Sequence, residues 1–377
     1  MMRNPLSKKI TGIEPSGIRK FFDLVSEMPD AISLGVGEPD FDTPWRIREE
    51  GIYTLEQGKT FYTSNAGLKD LKIEISKYLE RKIHVEYDPD HEIMVTVGGS
   101  EGIDVALRAM LDPGDEVLIP QPSYVSYVPC TILADGNPVV IPLQQKNEFK
   151  LTAEELEAAI TPKTKILVLP FPNNPTGALY PKEILQQIVD IAREHHLIIF
   201  SDEIYDRLVM DGAEHISIAS LAPDLFCVTF SGLSKSHMIA GFRIGWMILS
   251  GAKDKAKGYI EGIKMLSNMR LCSNVPAQSV VQTALWGNQS VNDYLVPGGR
   301  IYEQREYIYK ALTDIPGITA VKPQAAFYMF PKIDVKKFNI VNDEKFALDL
   351  LQDKKILIVQ GSGFNWKQPD HFRVVYL

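Results

Sequence analysis

One lysine and one arginine stand in a segment of small polar residues that could do chemistry. Lys235 lies within Gly-Leu-Ser-Lys-Ser-His, residues 232–237, and Arg243 follows it between two glycines. The residues just before this segment, 226–230, form a short apolar and β-branched run that predicts a buried strand. Lys235 therefore lies just beyond the carboxyl end of a strand, where open α/β sheets bind their ligands.

The two cations suit different parts of one ligand. An amine in a dry crevice near other cations loses proton affinity, and a neutral amine can form a Schiff base with an aldehyde. Arg243 carries a permanent charge and suits a phosphate. An aldehyde at Lys235 and a phosphate at Arg243 together suggest pyridoxal phosphate (PLP). The alternative for this segment alone is a solvated lysine on a loop.

Further polar residues follow predicted strands at regular spacing. Asn174 and Asp202 each come soon after an apolar run. Together with Lys235 they are spaced by roughly thirty residues, the length of a strand-helix-strand unit, so the three should meet at one edge of a sheet. A carboxylate so close to an apolar strand needs a partner, and a protonated pyridine nitrogen would supply one for Asp202. Tyr205 follows in what resembles a turn and can point its phenol in a similar direction.

A glycine-rich turn provides a candidate anion site. The apolar run 93–97 predicts a strand, residues 98–102 read Gly-Gly-Ser-Glu-Gly, and a helical pattern follows. Free backbone N–H groups and the positive end of a helix dipole would face a phosphate at this turn, which contains Gly99, Ser100 and Glu101. The turn matches neither the nucleotide triphosphatase motif nor the dinucleotide-binding motif.

Four other candidates each have two interpretations. Tyr124 follows a predicted strand and could stack on a flat heterocycle or pack in the core. Gly37, in Gly-Val-Gly-Glu-Pro, allows the backbone to approach a ligand closely or simply forms a turn. Tyr62 lies in a polar loop and otherwise packs over the next helix. Arg373 is flanked by apolar residues, so it needs an anion, which is either a protein carboxylate or a substrate carboxylate.

Composition limits the class of protein. A chain of 377 residues is too long for one compact core and suggests two domains, and the strand-helix alternation indicates an α/β fold. The net charge of −8 disfavours a nucleic-acid surface. No segment reads as a membrane span or a signal peptide, so the cytoplasm is the default location. Cys130, Cys227 and Cys272 are too widely spaced for a disulfide framework or a metal pair.

Taken in order, these residues resemble the class I and II aminotransferases of the type I PLP fold, over essentially the whole chain. The motifs that carry the resemblance are Gly99-Ser100 before a helix, Asn174-Pro-Thr-Gly, Asp202-Glu-Ile-Tyr205, Ser234-Lys235, Arg243 and Arg373. It implies a large domain, residues 41–285, with a mostly parallel seven-stranded sheet sandwiched by helices. It also implies a smaller α/β C-terminal domain, residues 286–377, that lacks the family's last helix. An N-terminal segment, residues 1–40, with a helical pattern over residues 10–28, would pack on that domain.

The resemblance assigns a role to each residue around the cofactor ring. Lys235 would hold PLP as a Schiff base and then move a proton between the substrate's Cα and the cofactor. Asp202 would pair with the pyridinium nitrogen and keep the ring an electron sink. Tyr205 and Asn174 would form hydrogen bonds with the phenolic oxygen of the ring, and Tyr124 would stack on its face.

The remaining assignments concern the phosphate, the carboxylate and the partner subunit. The residues expected at the phosphate are Gly99, Ser100, Glu101, Ser231, Ser234 and Arg243. Ser231 is included because the position three before the lysine, often a serine in the family, is Gly232 here. Tyr62 would reach the phosphate of a neighbouring subunit, which implies a homodimer with shared active sites. Arg373, with Asn174 and the backbone of Gly37, would bind the substrate's α-carboxylate, and no metal is expected.

Similarities within the family point to a substrate. Residues 256–262, 269–278 and 328–334 resemble bacterial alanine (glutamate–pyruvate) aminotransferases, whereas residues 14–20 and 34–41 resemble the aspartate and aromatic branch. The leading expectation is an enzyme that moves the amino group of L-alanine to 2-oxoglutarate in two half-reactions. The alternatives are an aspartate or aromatic aminotransferase, a PLP-dependent C–S β-lyase on the same fold, and an idle PLP-binding regulatory domain. None of these involves nucleic acid or a membrane.

Overall fold

The computed structural model of the protein describes residues 5–13, 17, 21, 24, 25 and 27–377. The predicted helix over residues 10–28 and the motif over residues 14–20 lie largely outside the described residues. The strands are β1 Ile32–Ser33, β2 Ile93–Thr96, β3 Glu116–Gln121, β4 Asn137–Pro142, β5 Thr164–Pro170, β6 Ile198–Asp202, β7 Cys227–Gly232, β8 Gly245–Ser250, β9 Ile318–Thr319, β10 Tyr328–Met329, β11 Lys332–Ile333, β12 Ile356–Leu357, β13 Val359–Gln360 and β14 Phe372–Val375. The α-helices are α1 Lys8–Thr11, α2 Trp45–Glu56, α3 Lys69–Ile83, α4 Gly98–Met110, α5 Tyr127–Leu133, α6 Ala153–Ala159, α7 Lys182–Glu194, α8 Ile218–Leu221, α9 Lys257–Arg270, α10 Val275–Ser279, α11 Val281–Trp286, α12 Val291–Tyr294, α13 Arg300–Thr313 and α14 Asp343–Lys354.

A seven-stranded sheet runs through the described part of the chain in the order β2-β8-β7-β6-β5-β3-β4. The pairs from β7 through β4 are parallel, while β8 runs antiparallel to both of its neighbours, β7 and β2. The β7–β8 pair closes at Gly232, which lies opposite Gly245. The mostly parallel seven-stranded sheet implied by the family resemblance is thus confirmed.

Helices cover both faces of this sheet, which explains why its strands read as continuous apolar runs. In β5, Ile166 and Val168 pack on one face, and Leu167 and Leu169 pack on the other, all of them buried. The first face carries α4 and α9, and the second carries α7 behind β5 and α3 behind the β2 edge. Alternating positions of the strand therefore all need apolar side chains.

Two helices show how the local sequence forms these elements. In α7 the buried side chains Leu185, Ile188, Val189 and Ala192 recur at the spacing of one helix face. Helix α6 begins with a capping box formed by Thr152 and Glu155. The Thr152 hydroxyl accepts from the Glu155 backbone N–H at 3.2 Å, and the Glu155 carboxylate accepts from the Thr152 N–H at 3.1 Å.

The strands of the C-terminal part of the chain form three smaller sheets. Strand β14 lies between β10 and β13 in an antiparallel arrangement, β9 pairs with β11, and β1 pairs in parallel with β12. The apolar run over residues 356–359 is divided between two sheets, because Ile356 pairs with Ile32 whereas Val359 pairs with Arg373. The start of the chain thus adds a strand beside the C-terminal residues. Within the described residues, no helix combines the length and apolar character needed to cross a bilayer.

Candidate active site

A cavity of about 730 Å³ opens at the carboxyl ends of the parallel strands, beside the first turn of α4. Most of the predicted site residues line it: Gly37, Gly99, Ser100, Tyr124, Asn174, Asp202, Tyr205, Ser234, Lys235, Arg243 and Arg373. Parallel strands end at the same edge of a sheet, which is why residues far apart in the sequence meet here. Across the described residues, no group of three or more His, Cys, Asp or Glu side chains is placed to hold a metal ion.

Lys235 lies just beyond β7 and points its amine into the cavity. Its Nζ donates a hydrogen bond to the carbonyl oxygen of Gly37 at 2.7 Å. Burial lowers the pKa of Lys235 to about 8; Glu38 opposes this shift, and the cations Arg373 and Arg243 add to it. With a pKa near 8, about one lysine in ten is neutral at pH 7, against fewer than about one in a thousand for an ordinary lysine. The amine is therefore available as a nucleophile and as a base.

Asp202, the last residue of β6, is a buried carboxylate with neutral partners. The Tyr127 hydroxyl donates to its Oδ2 at 2.6 Å, and the Ile204 N–H donates to its Oδ1 at 3.2 Å. Burial raises the pKa of Asp202, and the bond from Tyr127 opposes that rise. Among the described residues no lysine, arginine or histidine forms an ion pair with it. A cationic ring nitrogen would compensate the charge that burial makes unfavourable.

Arg373, on β14, is held by neutral acceptors. Its Nη1 donates to Oδ1 of Asn174 at 2.9 Å, and its Nη2 donates to the carbonyl oxygen of Gly35. The guanidinium lies between the rings of Tyr328 and Phe364, 4.8 Å from the centre of each. Its Nε is buried and has no hydrogen-bond partner in the described part of the chain. No carboxylate of these residues pairs with Arg373, so the guanidinium is left for an anion from outside.

The turn before α4 forms a cradle with Arg243. Arg243 Nη2 donates to Oγ of Ser100 at 3.3 Å, and its Nη1 donates to the carbonyl oxygen of Ala240 at 3.0 Å. Gly98 has φ of +75°, and a Cβ atom added there would lie 2.4 Å from Arg243 Nη2. A side chain at this position would fill the cradle. The free N–H groups of the first helical turn and the arginine together suit a phosphate.

Three predicted residues do not reach the cavity. The carboxylate of Glu101 turns back to accept from the Val97 N–H at 2.6 Å, so it caps the helix. Ser231 faces the opposite side of the sheet, in a small separate cavity lined also by Trp246. The position of Ser231 argues against a phosphate role for its hydroxyl, whereas a role for the backbone of Glu101 stays a prediction. Tyr62 is 80% exposed, and its contact with a partner subunit stays a prediction.

Two tyrosines of the cavity were not expected to take part. The sequence suggests only core packing for Tyr127, yet its hydroxyl donates to Asp202. Tyr328 lies in an apolar run that by itself suggests only a strand, yet its Oη lies 2.7 Å from that of Tyr205. The one signal for Tyr127 in the sequence is its position one helical turn after Tyr124. For Tyr328 the sequence offers no signal, because the contact joins segments far apart in the chain.

Known proteins with this arrangement identify the family. Residues 29–376 match the family model for aminotransferase class I and II. The chain belongs to this aminotransferase family. The glutamate-pyruvate aminotransferase AlaA of Haemophilus influenzae is 46% identical over 379 residues, which span 100% of this chain and 91% of the relative. An alanine aminotransferase of Mycobacterium tuberculosis is 42% identical over 379 residues, spanning 100% and 86%. A solved aminotransferase structure from Escherichia coli superposes with a TM-score of 0.94 at 43% identity, covering 100% of this chain and 94% of that one.

The cofactor of this aminotransferase is pyridoxal 5′-phosphate, the PLP suggested by the sequence. The donor groups of the cavity fit it at each end. An aldehyde needs an amine that is partly neutral, and Lys235 provides one. A protonated ring nitrogen needs a carboxylate that has no other cation, and Asp202 meets this condition. A phosphate needs a cationic cradle at a helix start, which the turn at Gly98 forms with Arg243.

Proposed function

We propose that this aminotransferase transfers the amino group of L-alanine to 2-oxoglutarate and so forms pyruvate and L-glutamate. The observation that carries the proposal is similarity along the whole chain to relatives named for these substrates. They are the glutamate-pyruvate aminotransferase of H. influenzae, at 46% identity, and the alanine aminotransferase of M. tuberculosis, at 42%. The presence of Lys235 and Arg373 in one cavity supports it, because an amino-acid substrate needs both a base near its Cα and a cation for its carboxylate.

In this proposal Lys235 moves the proton. When bound, PLP supplies an electron-poor ring that stabilises negative charge at the substrate's Cα. Lys235, as a neutral amine, takes the proton from the substrate's Cα. It then delivers that proton to the cofactor. Its pKa of about 8 suits this exchange, because a general base works best with a pKa near the operating pH. Asp202 keeps the ring nitrogen protonated by its negative charge, and Tyr127 holds that carboxylate in place.

Arg373 and Asn174 bind the α-carboxylate of the substrate in this proposal. The bond between them fixes the guanidinium plane, and the rings of Tyr328 and Phe364 restrict its rotation. The unpartnered Nε is a donor that a carboxylate oxygen can use. Binding the carboxylate here orients the amino acid before the proton moves, which reduces the entropic cost of the reaction.

We also propose that the enzyme is a homodimer with shared active sites. Large apolar side chains are exposed on the loop before α3 and on α9: Phe61 is 81% exposed, Tyr62 80%, Met265 64% and Met269 73%. Such side chains are typical of a subunit interface. Tyr62 would then reach the phosphate bound by its partner subunit. Light scattering of the purified protein would give the mass, and one chain has a mass of 42.3 kDa.

The organisation of the chain and its location belong to the same proposal. Residues 41–285 would form the large cofactor-binding domain, residues 286–377 the small domain, and residues 1–40 a segment that packs on the small domain. The pairing of β1 with β12 supports the last part. A cytoplasmic location is supported by the free thiols of Cys130, Cys227 and Cys272.

A coupled assay tests the reaction directly. The purified protein is supplied with PLP, L-alanine and 2-oxoglutarate, and both pyruvate and L-glutamate are measured. We expect equal amounts of the two products, bleaching of the yellow cofactor band by L-alanine alone, and no turnover by the Lys235→Ala variant. Faster turnover of L-aspartate or an aromatic amino acid would contradict the choice of substrate. Pyruvate and ammonia formed from cystathionine without an oxo acid would indicate the lyase, and a protein that binds PLP without turnover would indicate the idle domain.

A further inference from the structure

The side chain of Tyr328 contacts three groups of the active site. Its Oη is 2.7 Å from Oη of Tyr205 and 3.3 Å from the carbonyl oxygen of Gly37. The guanidinium of Arg373 lies 4.8 Å from the centre of its ring. Tyr328 is 1% exposed, so bulk water does not compete for its hydroxyl. A single side chain on β10 thus touches residues proposed to bind the cofactor ring and the substrate carboxylate.

The two tyrosine hydroxyls share one hydrogen bond. Their oxygens lie 2.7 Å apart, so one proton lies between them, whereas the carbonyl oxygen of Gly37 is a longer contact of Tyr328 at 3.3 Å and also accepts from Lys235 at 2.7 Å. If Tyr205 gives its single proton to the ring oxygen of PLP, Tyr328 must supply the proton of the shared bond. Once Tyr328 donates to the oxygen of Tyr205, the proton of Tyr205 is free to point into the cavity. Each hydroxyl has one proton, so the direction of the first bond sets the second.

The surroundings of Tyr328 favour this direction. Burial raises the pKa of Tyr328 to about 12, and the guanidinium of Arg373 opposes that rise. The arginine thus makes Tyr328 a stronger donor than burial alone would leave it. A Cβ atom at position 37 would lie 2.6 Å from Tyr328 Oη, so only glycine lets this backbone pass the hydroxyl at its present distance. The hydroxyl is therefore confined between the Gly37 backbone and Tyr205.

We propose that Tyr328 is a positioning residue of the aminotransferase reaction, which turns the Tyr205 hydroxyl toward the ring oxygen of PLP while its own ring supports Arg373. The inference rests on the proposed function, because it requires that Tyr205 donates to that oxygen. A hydroxyl that accepts one hydrogen bond is a stronger donor in the next, since the two bonds polarise each other. Tyr328 thereby links the end of the site that binds the carboxylate to the cofactor ring.

The pH titration of the visible absorption of bound PLP tests the hydroxyl. The donor at the ring oxygen draws charge away from it. A weaker donor leaves more charge there, and this oxygen then holds the proton on the Lys235 nitrogen more firmly. Tyr328→Phe keeps the ring beneath Arg373 and removes only the hydroxyl. We expect it to raise the titration midpoint by about half a pKa unit to one unit, the size of one hydrogen bond.

Kinetics give a second measurement on the same variant. We expect kcat to fall about three- to tenfold, as the loss of one hydrogen bond predicts, while KM for L-alanine changes less than about twofold. The titratable or charged groups facing the tyrosine pair are Arg373, Asp202, Tyr124 and Lys235. None of them is altered by the substitution. Tyr180→Phe is the matched control, because Tyr180 is buried outside the cavity and its hydroxyl accepts from the Leu151 N–H at 2.8 Å.

A double variant separates positioning through Tyr205 from a direct effect. If Tyr328 acts through Tyr205, Tyr328→Phe shifts the midpoint in the wild-type background and adds nothing in the Tyr205→Phe background. An unchanged midpoint in the single variant, or equal shifts in both backgrounds, would overturn the inference. Melting of the cofactor-free variants checks that each is folded. A wild-type protein that takes up no PLP would instead refute the proposed function.

Discussion

Arg373 and Asn174 are 199 positions apart in the sequence, yet Nη1 of the arginine donates to Oδ1 of the asparagine at 2.9 Å. The asparagine follows a strand of the central sheet, and the arginine lies on a strand of a smaller C-terminal sheet. The bond therefore joins two sheets at the cavity. Any ligand that binds the guanidinium also affects how these two parts of the chain are held together.

Substitution of Arg373 by lysine should weaken substrate binding selectively. A lysine keeps the charge but lacks the planar set of donors that bonds Asn174 and Gly35 while still binding a carboxylate. We expect kcat/KM for L-alanine to fall by about ten- to a hundredfold, the cost of one charge-assisted hydrogen bond. Steady-state kinetics give the value. Arg193→Lys is the control, since Arg193 forms an exposed ion pair with Asp224. A similar fall in kcat/KM for the control would mean that the effect is not specific to Arg373.

The lowered pKa of Lys235 should be visible in the rate of cofactor loading. The folded pKa is about 8, below that of an unfolded lysine, so the neutral amine becomes common as the pH rises through 8. We expect the association rate of PLP with the cofactor-free protein to rise with pH, with a midpoint near 8. Stopped-flow absorbance measures the rate. A midpoint near 10 would mean that the amine is as basic as one in water, and Lys235→Ala should show no such phase.

Replacement of Asp202 by asparagine should separate activity from stability. The folded pKa of Asp202 is raised, so in the cofactor-free protein its ionisation lowers the free energy of unfolding as the pH rises above about 3.9. Asp202→Asn removes that penalty, and its melting temperature without PLP at pH 7 should equal or exceed that of the wild type. With PLP, kcat should fall by about a hundredfold or more, because the ring nitrogen loses its counter-charge. A large loss of stability without cofactor would contradict this account.

Gly98→Ala should impair cofactor binding through the cradle. The backbone at Gly98 has φ of +75°, and the added methyl carbon would lie 2.4 Å from Arg243 Nη2. We expect a loss of about 1 kcal/mol or more in stability from the backbone conformation, and weaker binding of PLP because the arginine must move. Thermal melting and fluorescence titration measure the two effects. Gly258→Ala is the control, since a Cβ atom there meets nothing within 4 Å.

The meeting of Lys235, Asp202 and Asn174 could be predicted from the sequence because each follows a strand of one parallel sheet. The position of Ser231 in a separate cavity follows from the alternation of side chains along its strand. Side chains alternate along a strand, so Ser231 and the buried Phe230 before it must point to opposite faces of β7. The role proposed for Tyr328 is different in kind. Its contact with Tyr205 depends on how β10 packs against the central sheet, and no local pattern encodes that distance.

The antiparallel pairing of β7 with β8 fixes the distance between two cofactor-binding groups of the active site. The connection between them, residues 233–244, leaves and re-enters the sheet at the same edge and contains both Lys235 and Arg243. One short loop therefore sets the span between the amine and the guanidinium, independently of how other segments shift. An insertion or deletion in this loop would change the length of aldehyde phosphate that the enzyme accepts. The distance between these two cofactor contacts is thus set within one stretch of chain, whereas the turn at Gly98 and Ser100 that completes the phosphate cradle comes from another.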